Sequence, residues 1–188
     1  MPRIPYFDMD QVTPEYSEML KGRYNLNLYR MLPHATTIAP GFLKMGGAIL
    51  RDSALDPQLR EIAILRVGFL SKATYEVHQH KRVSRRVGLA EDKIAALEND
   101  PDSAAFTPLE KLVIRYTDEL VKNVKASDAL FNELLAALDQ RRIAELTLTI
   151  GFYMAVSRFL ENFEVEIEPA PPPASDTSVR YSNNEQAG

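Results

Sequence analysis

The stretch Leu55-Asp56-Pro57-Gln58-Leu59-Arg60-Glu61-Ile62-Ala63-Ile64-Leu65-Arg66-Val67 decides how this chain folds. Asp56 before Pro57 is a helix-start signal. The carboxylate can accept from otherwise unpaired first-turn amides, and proline lacks an N–H where none is needed. Behind it, Leu59, Ile62, Ala63, Ile64, Leu65, Val67, Phe69 and Leu70 nearly encircle a helix predicted over Gln58–Ser71. A helix apolar on all sides belongs inside a core. The next helix, Thr74–Val87, stops at Gly88, and the short link Ser71-Lys72-Ala73 predicts that the two pack as an antiparallel pair. Further helices are expected over Pro40–Arg51, Glu91–Glu98, Leu109–Asn123, Asp128–Leu138 and Arg141–Asn162. Thr13-Pro14 and Thr107-Pro108 repeat the start signal, and Glu110 completes a capping box with Thr107. With no hairpin signal and no alternating pattern, the expected class is all-α.

Composition narrows the chemistry. The 188 residues include no cysteine, which excludes disulfides, thiolate metal sites and thiol nucleophiles together. A net charge of −4 argues against nucleic acid as a partner, since its binders carry a basic stripe. The most apolar uncharged run, Leu146 to Ser157, is shorter than the ~20 residues a membrane span needs. No leader segment is expected either, so the expectation is a soluble, cytoplasmic protein with no membrane partner. Glu168-Pro169-Ala170-Pro171-Pro172-Pro173 opens a polar ending that reads as a flexible tail or an arm reaching a neighbouring subunit.

The candidate site lies on the central pair. Glu61 is a carboxylate in a largely apolar helix, and burying it alone would be expensive, so it requires a partner. The following helix carries Glu76 and His80 one turn apart on one face. Antiparallel packing can bring Glu61 to His80, giving an imidazole tuned by two carboxylates that could move a proton near neutral pH. A satisfied buried Glu–His pair is the other reading. His78 and His80 point to different sides of a helix and cannot share an ion, so no metal site is expected. Lys81, Arg82, Arg85 and Arg86 form a basic run that is either solvated or recruits an anionic substrate. Tyr75 is a substrate donor or a core residue. The C-terminal helix adds Glu145, Tyr153 and Arg158 among apolar neighbours, which suggests a helix facing the core or another subunit. A faint echo links Arg60-Glu61-Ile62-Ala63-Ile64 with Ala144-Glu145-Leu146-Thr147-Leu148, too short to establish a repeat.

Taken with Tyr75-Glu76-Val77-His78-Gln79-His80 and Val87-Gly88-Leu89, the opening stretch resembles the carboxymuconolactone decarboxylase family, which includes the AhpD-type alkylhydroperoxidases. The resemblance implies an AhpD-like helical domain over 31–167, preceded by an extension over 1–30 and followed by the tail over 168–188. It also implies trimers or hexamers with the site near a subunit interface. AhpD-type members use Cys-x-x-Cys with a histidine four residues on and an upstream glutamate in a proton relay. Here the thiol positions are Ala73 and Glu76, while Glu61 and His80 remain. The resemblance therefore implies the decarboxylase branch, a lyase of aromatic-compound catabolism that needs no cofactor. Its catalytic residues would be His80, Glu61 and Glu76. Tyr75, Lys72, Arg82 or Arg85 would hold a small carboxylated or lactone substrate. The alternative is a non-catalytic helical oligomer that binds a small molecule or a partner protein.

Overall fold

A computed structural model describes residues 1–169. The tail expected over 168–188 therefore lies outside the described residues, apart from Glu168 and Pro169. The described residues hold nine α-helices and no strand: α1 (Pro14–Leu20), α2 (Asn27–Met31), α3 (Ala39–Arg51), α4 (Pro57–Leu70), α5 (Thr74–Arg86), α6 (Glu91–Asn99), α7 (Pro108–Asn123), α8 (Asp128–Ala137) and α9 (Gln140–Phe163). The all-α expectation is met. The long helices begin and end within about one residue of their predicted bounds. Only α2 was not foreseen, because its five residues follow Leu26, which supplies no side-chain cap.

The helices fall into two compact units, Met1–Asp52 with the chain from Phe163 on, and Ser53–Asn162. In the first, Tyr16, Met31, Leu32, Ala39 and Leu43 form the buried centre, and the Tyr16 hydroxyl donates to the Tyr29 carbonyl at 2.8 Å. The N–H of Arg3 donates to the Phe163 carbonyl at 3.0 Å, and the Asn27 amide Nδ2 donates to the Glu166 carbonyl at 2.9 Å. The first residues and the chain after α9 thus lie side by side.

The second unit is built around α4. Ten of its fourteen residues, Leu59 through Gly68, are buried, which is what an all-round apolar helix requires. It packs against α5, α6 and α7. Asp56 caps it by accepting from the amides of Gln58 and Leu59. At its other end Lys72 adopts a left-handed φ of 54°, and the amides of Lys72 and Ala73 bond back to the Phe69 and Gly68 carbonyls. That Schellman turn reverses the chain in three residues. The same turn closes α5, with Gly88 at φ 81° and Leu89 donating to the Ser84 carbonyl at 2.9 Å. Gly68 lets α4 and α5 approach closely, since a Cβ there would meet Val77 Cγ2 at 2.9 Å. The Thr107–Glu110 capping box is present at α7. Helix α9, at 24 residues, is long and apolar enough to cross a membrane by length and composition alone. Half of its most apolar stretch is buried in the protein, as in a core helix.

Candidate active site

The close α4–α5 pair brings Glu61 and His80 together. His80 Nδ1 lies 2.6 Å from Glu61 Oε2, and Nε2 lies 3.0 Å from Glu76 Oε1, one turn back on the same helix. The first contact is a hydrogen bond, and the second is an ion pair across one helix turn. Arg60 completes the cluster, its Nε donating to Glu61 Oε1 at 3.2 Å. All four side chains are buried: Glu61 is 0% exposed, Arg60 2%, Glu76 3% and His80 7%.

Two carboxylates, a guanidinium and an imidazolium balance to zero, which makes such burial tolerable. Burial alone would pull the His80 pKa down. The charges of Glu61 and then Glu76, with the bonds to both, overcome it and push the pKa from 6.5 up to about 10. At neutral pH His80 is therefore an imidazolium with a carboxylate at each nitrogen. That leaves no ring lone pair for a metal ion. The Tyr153 ring of α9 sits edge-on to the imidazole, centroids 4.9 Å apart.

The other sequence candidates lie elsewhere. Tyr75 is buried in the core. Lys72 is exposed in the link between the two site helices. Arg82 lies about 200° around α5 from His80, and its Nη1 donates to Gln79 Oε1 at 3.2 Å. Arg85 is exposed and forms a two-pronged pair with Glu91 at 2.6 and 3.1 Å. His78 is exposed, and His34 Nε2 lies 2.9 Å from the Pro5 carbonyl oxygen, so the three histidines do not converge. Glu145, the echo of Glu61, is half-exposed and accepts from Ser53 Oγ, the Ala54 amide and Arg141. Arg60 was quoted in the motif without a role. Neighbours in a helix diverge, so nothing in the spacing pairs it with Glu61. A cleft of about 360 Å³ opens at the start of α7, lined by Asp102, Phe106, Pro108, Lys111 and Arg115, none of them in the cluster.

Residues 37–119, which include the whole α4–α5 pair and its cluster, match the carboxymuconolactone decarboxylase family. That match spans 83 of the 188 residues. No curated protein matches the chain. Several solved structures do. The AhpD core of an uncharacterized peroxidase-related protein from Ralstonia eutropha superposes with a TM-score of 0.80 at 15% identity, over 89% of this chain and 93% of that one. The debrominase Bmp8, solved with 2,3,4-tribromopyrrole, gives 0.72 at 14% identity over 90% and 95%. A protein of unknown function from Agrobacterium tumefaciens gives 0.66 at 21% identity over 73% and 93%. At these identities the likeness is one of fold. Within the matched segment this chain carries Glu61, Glu76 and His80, and it has no cysteine.

Proposed function

We propose that this chain is a carboxymuconolactone decarboxylase-like lyase, using acid/base chemistry without a cofactor on a small carboxylated or lactone-bearing substrate. The observation that carries the reading is the Glu61–His80–Glu76 array, a carboxylate at each imidazole nitrogen. His80, charged at rest, is the proton donor. As the substrate's carboxylate leaves as CO₂, the electron pair left on carbon takes a proton, and one proton per turnover is drawn from water. Glu61 orients the ring and holds its charge, and Glu76 passes the replacement proton. Lys72, exposed beside the site helices, meets the substrate carboxylate. Arg82, Arg85 and Tyr75 have their side chains engaged by Gln79, by Glu91 and by the core. The same reading includes assembly of this chain into trimers or hexamers and excludes nucleic acid as a partner.

The test is a screen of carboxylated lactones of aromatic catabolism for CO₂ release. An acid/base group contributes about 10²–10⁴-fold, so His80→Ala should lose turnover by that factor. A variant with full activity on the same substrate contradicts the assignment. The near-complete burial of all four charges favours a second reading, a core contact in a binding oligomer. That reading predicts a large loss of melting temperature in His80→Ala and no CO₂ release from any lactone by the parent protein.

A further inference from the structure

Among the described residues the buried charged side chains are Arg60, Glu61, Arg66, Glu76, His80 and Glu110. Two of them are matched by half-buried partners. Arg66 of α4 donates to Asp118 of α7, and Glu110 of α7 accepts from Lys93 of α6 at 2.6 and 2.8 Å. The other four form one row in which the sign alternates. Arg60 Nε lies 3.2 Å from Glu61 Oε1, Glu61 Oε2 lies 2.6 Å from His80 Nδ1, and His80 Nε2 lies 3.0 Å from Glu76 Oε1. Glu61 thus gives one oxygen to a guanidinium and the other to the imidazole.

The members of the row differ in what they can do with a proton. A guanidinium keeps its charge, whereas an imidazole and two carboxylates exchange theirs. Three such groups in mutual contact titrate as a set. With Arg60 at its end, the row sums to zero when the imidazole is protonated and both carboxylates are ionised. Without Arg60 the same protonation leaves one negative charge over, on carboxylates that are 0% and 3% exposed. An unmatched buried charge is relieved by taking up a proton. A second proton on either carboxylate removes an acceptor that the relay needs.

We propose that Arg60 is a positioning residue of the relay, setting through Glu61 how many protons the Glu61–His80–Glu76 array holds at neutral pH. This rests on the proton-relay reading and deepens it, since it names the group that keeps the array ready to donate once and be refilled. The buried phenols of the same unit are Tyr75 on α5, Tyr116 on α7, whose hydroxyl lies 2.8 Å from Thr147 Oγ1, and Tyr153 on α9, whose ring meets His80 edge-on. A phenol cannot become a cation under these conditions, so none of them replaces the guanidinium. Arg66 and Lys93 are engaged by Asp118 and Glu110.

The test uses the full chain and needs no substrate. Carbon-13 NMR of the glutamate carboxyls follows their protonation directly. In Arg60→Met the first carboxyl of the array should protonate about 1–3 pH units higher than in the parent protein. Arg60→Lys keeps the charge and should titrate like the parent. An Arg60→Met protein with the parental titration overturns the proposal. So does an Arg60→Lys protein displaced as far as Arg60→Met, because charge is then not what Arg60 supplies. If Arg60→Met does not fold, the parent decides alone. Its Arg60 Nε resonance should move with the same alkaline midpoint as the His80 ring, since Glu61 turns towards the guanidinium as the imidazolium is discharged. A stationary Nε overturns the proposal. A displaced titration in Arg60→Met, with no CO₂ release from any lactone by the parent, keeps the role of Arg60 and discards the lyase. CO₂ release by the parent with an undisplaced titration in Arg60→Met does the reverse.

Discussion

Helix α4 carries two buried ionic groups five residues apart, and their surroundings differ in kind. Around Arg66 every polar atom is used. Its Nε and Nη2 donate to Asp118 at 2.5 and 2.8 Å, and Nη1 donates to the Leu97 carbonyl at 2.7 Å. Around Glu61 the partner is an imidazole, whose other nitrogen lies 3.0 Å from Glu76 Oε1. Guanidinium does not titrate in a protein, so the first arrangement can only hold helices together. Imidazole does titrate, so the second can pass a proton on. Burial and ion pairing are common to both; what separates them is a group able to change charge.

The largest effect that would break this comparison is Arg66→Ala. It leaves Asp118 with Lys122 alone and frees the Leu97 carbonyl, and should cost about 1.5–3 kcal/mol in denaturant unfolding. The carboxylate–imidazole array and any CO₂-releasing activity should survive in the folded fraction. Equal loss of activity in that fraction would mean the two clusters are one unit.

The pH limbs of stability sharpen the contrast. His80 has its pKa raised on folding, so its contribution is complete below 6.5 and is lost as pH rises towards about 10. For Asp118, burial pushes the pKa up, but bonds from Arg66 and Lys122 outweigh it and hold the carboxyl below its usual value. Its contribution is present above the ordinary carboxylate range and is lost as pH falls through the lowered value. Melting temperatures should therefore fall on the alkaline side through the Glu61 cluster and on the acid side through the Arg66 cluster. His80→Gln should flatten the alkaline limb alone. An alkaline limb unchanged in that variant would place its origin elsewhere.

The smallest effect concerns the echo of Glu61. Glu145→Ala removes an acceptor from Ser53 and the Ala54 amide, and should cost about 1–2 kcal/mol with no change in turnover. A loss of activity there would overturn the distinction between the two glutamates.

Much of this was legible in the sequence. The all-round apolar α4, the proline-marked starts and the Gly88 stop follow from local chemistry, and so they predict the pair that carries the cluster. Glu61 and His80 could be matched because a lone carboxylate in an apolar helix demands a partner. Arg60 could not, since helix geometry separates neighbours and only the folded packing turns its long side chain back. Glu61 and Glu145 sit in faintly similar strings, yet one is sealed between helices and the other lies by a loop; the neighbours that decide this are distant in sequence. Helix α2 carried no capping signal to read.

His80 is held as an imidazolium between two carboxylates. Nitrogen-15 NMR of the histidine ring, titrated across the neutral and alkaline range, tests it most directly. The account predicts both ring nitrogens protonated at neutral pH, with titration only near 10. A neutral tautomer at neutral pH, titrating near the ordinary 6.5, would contradict it.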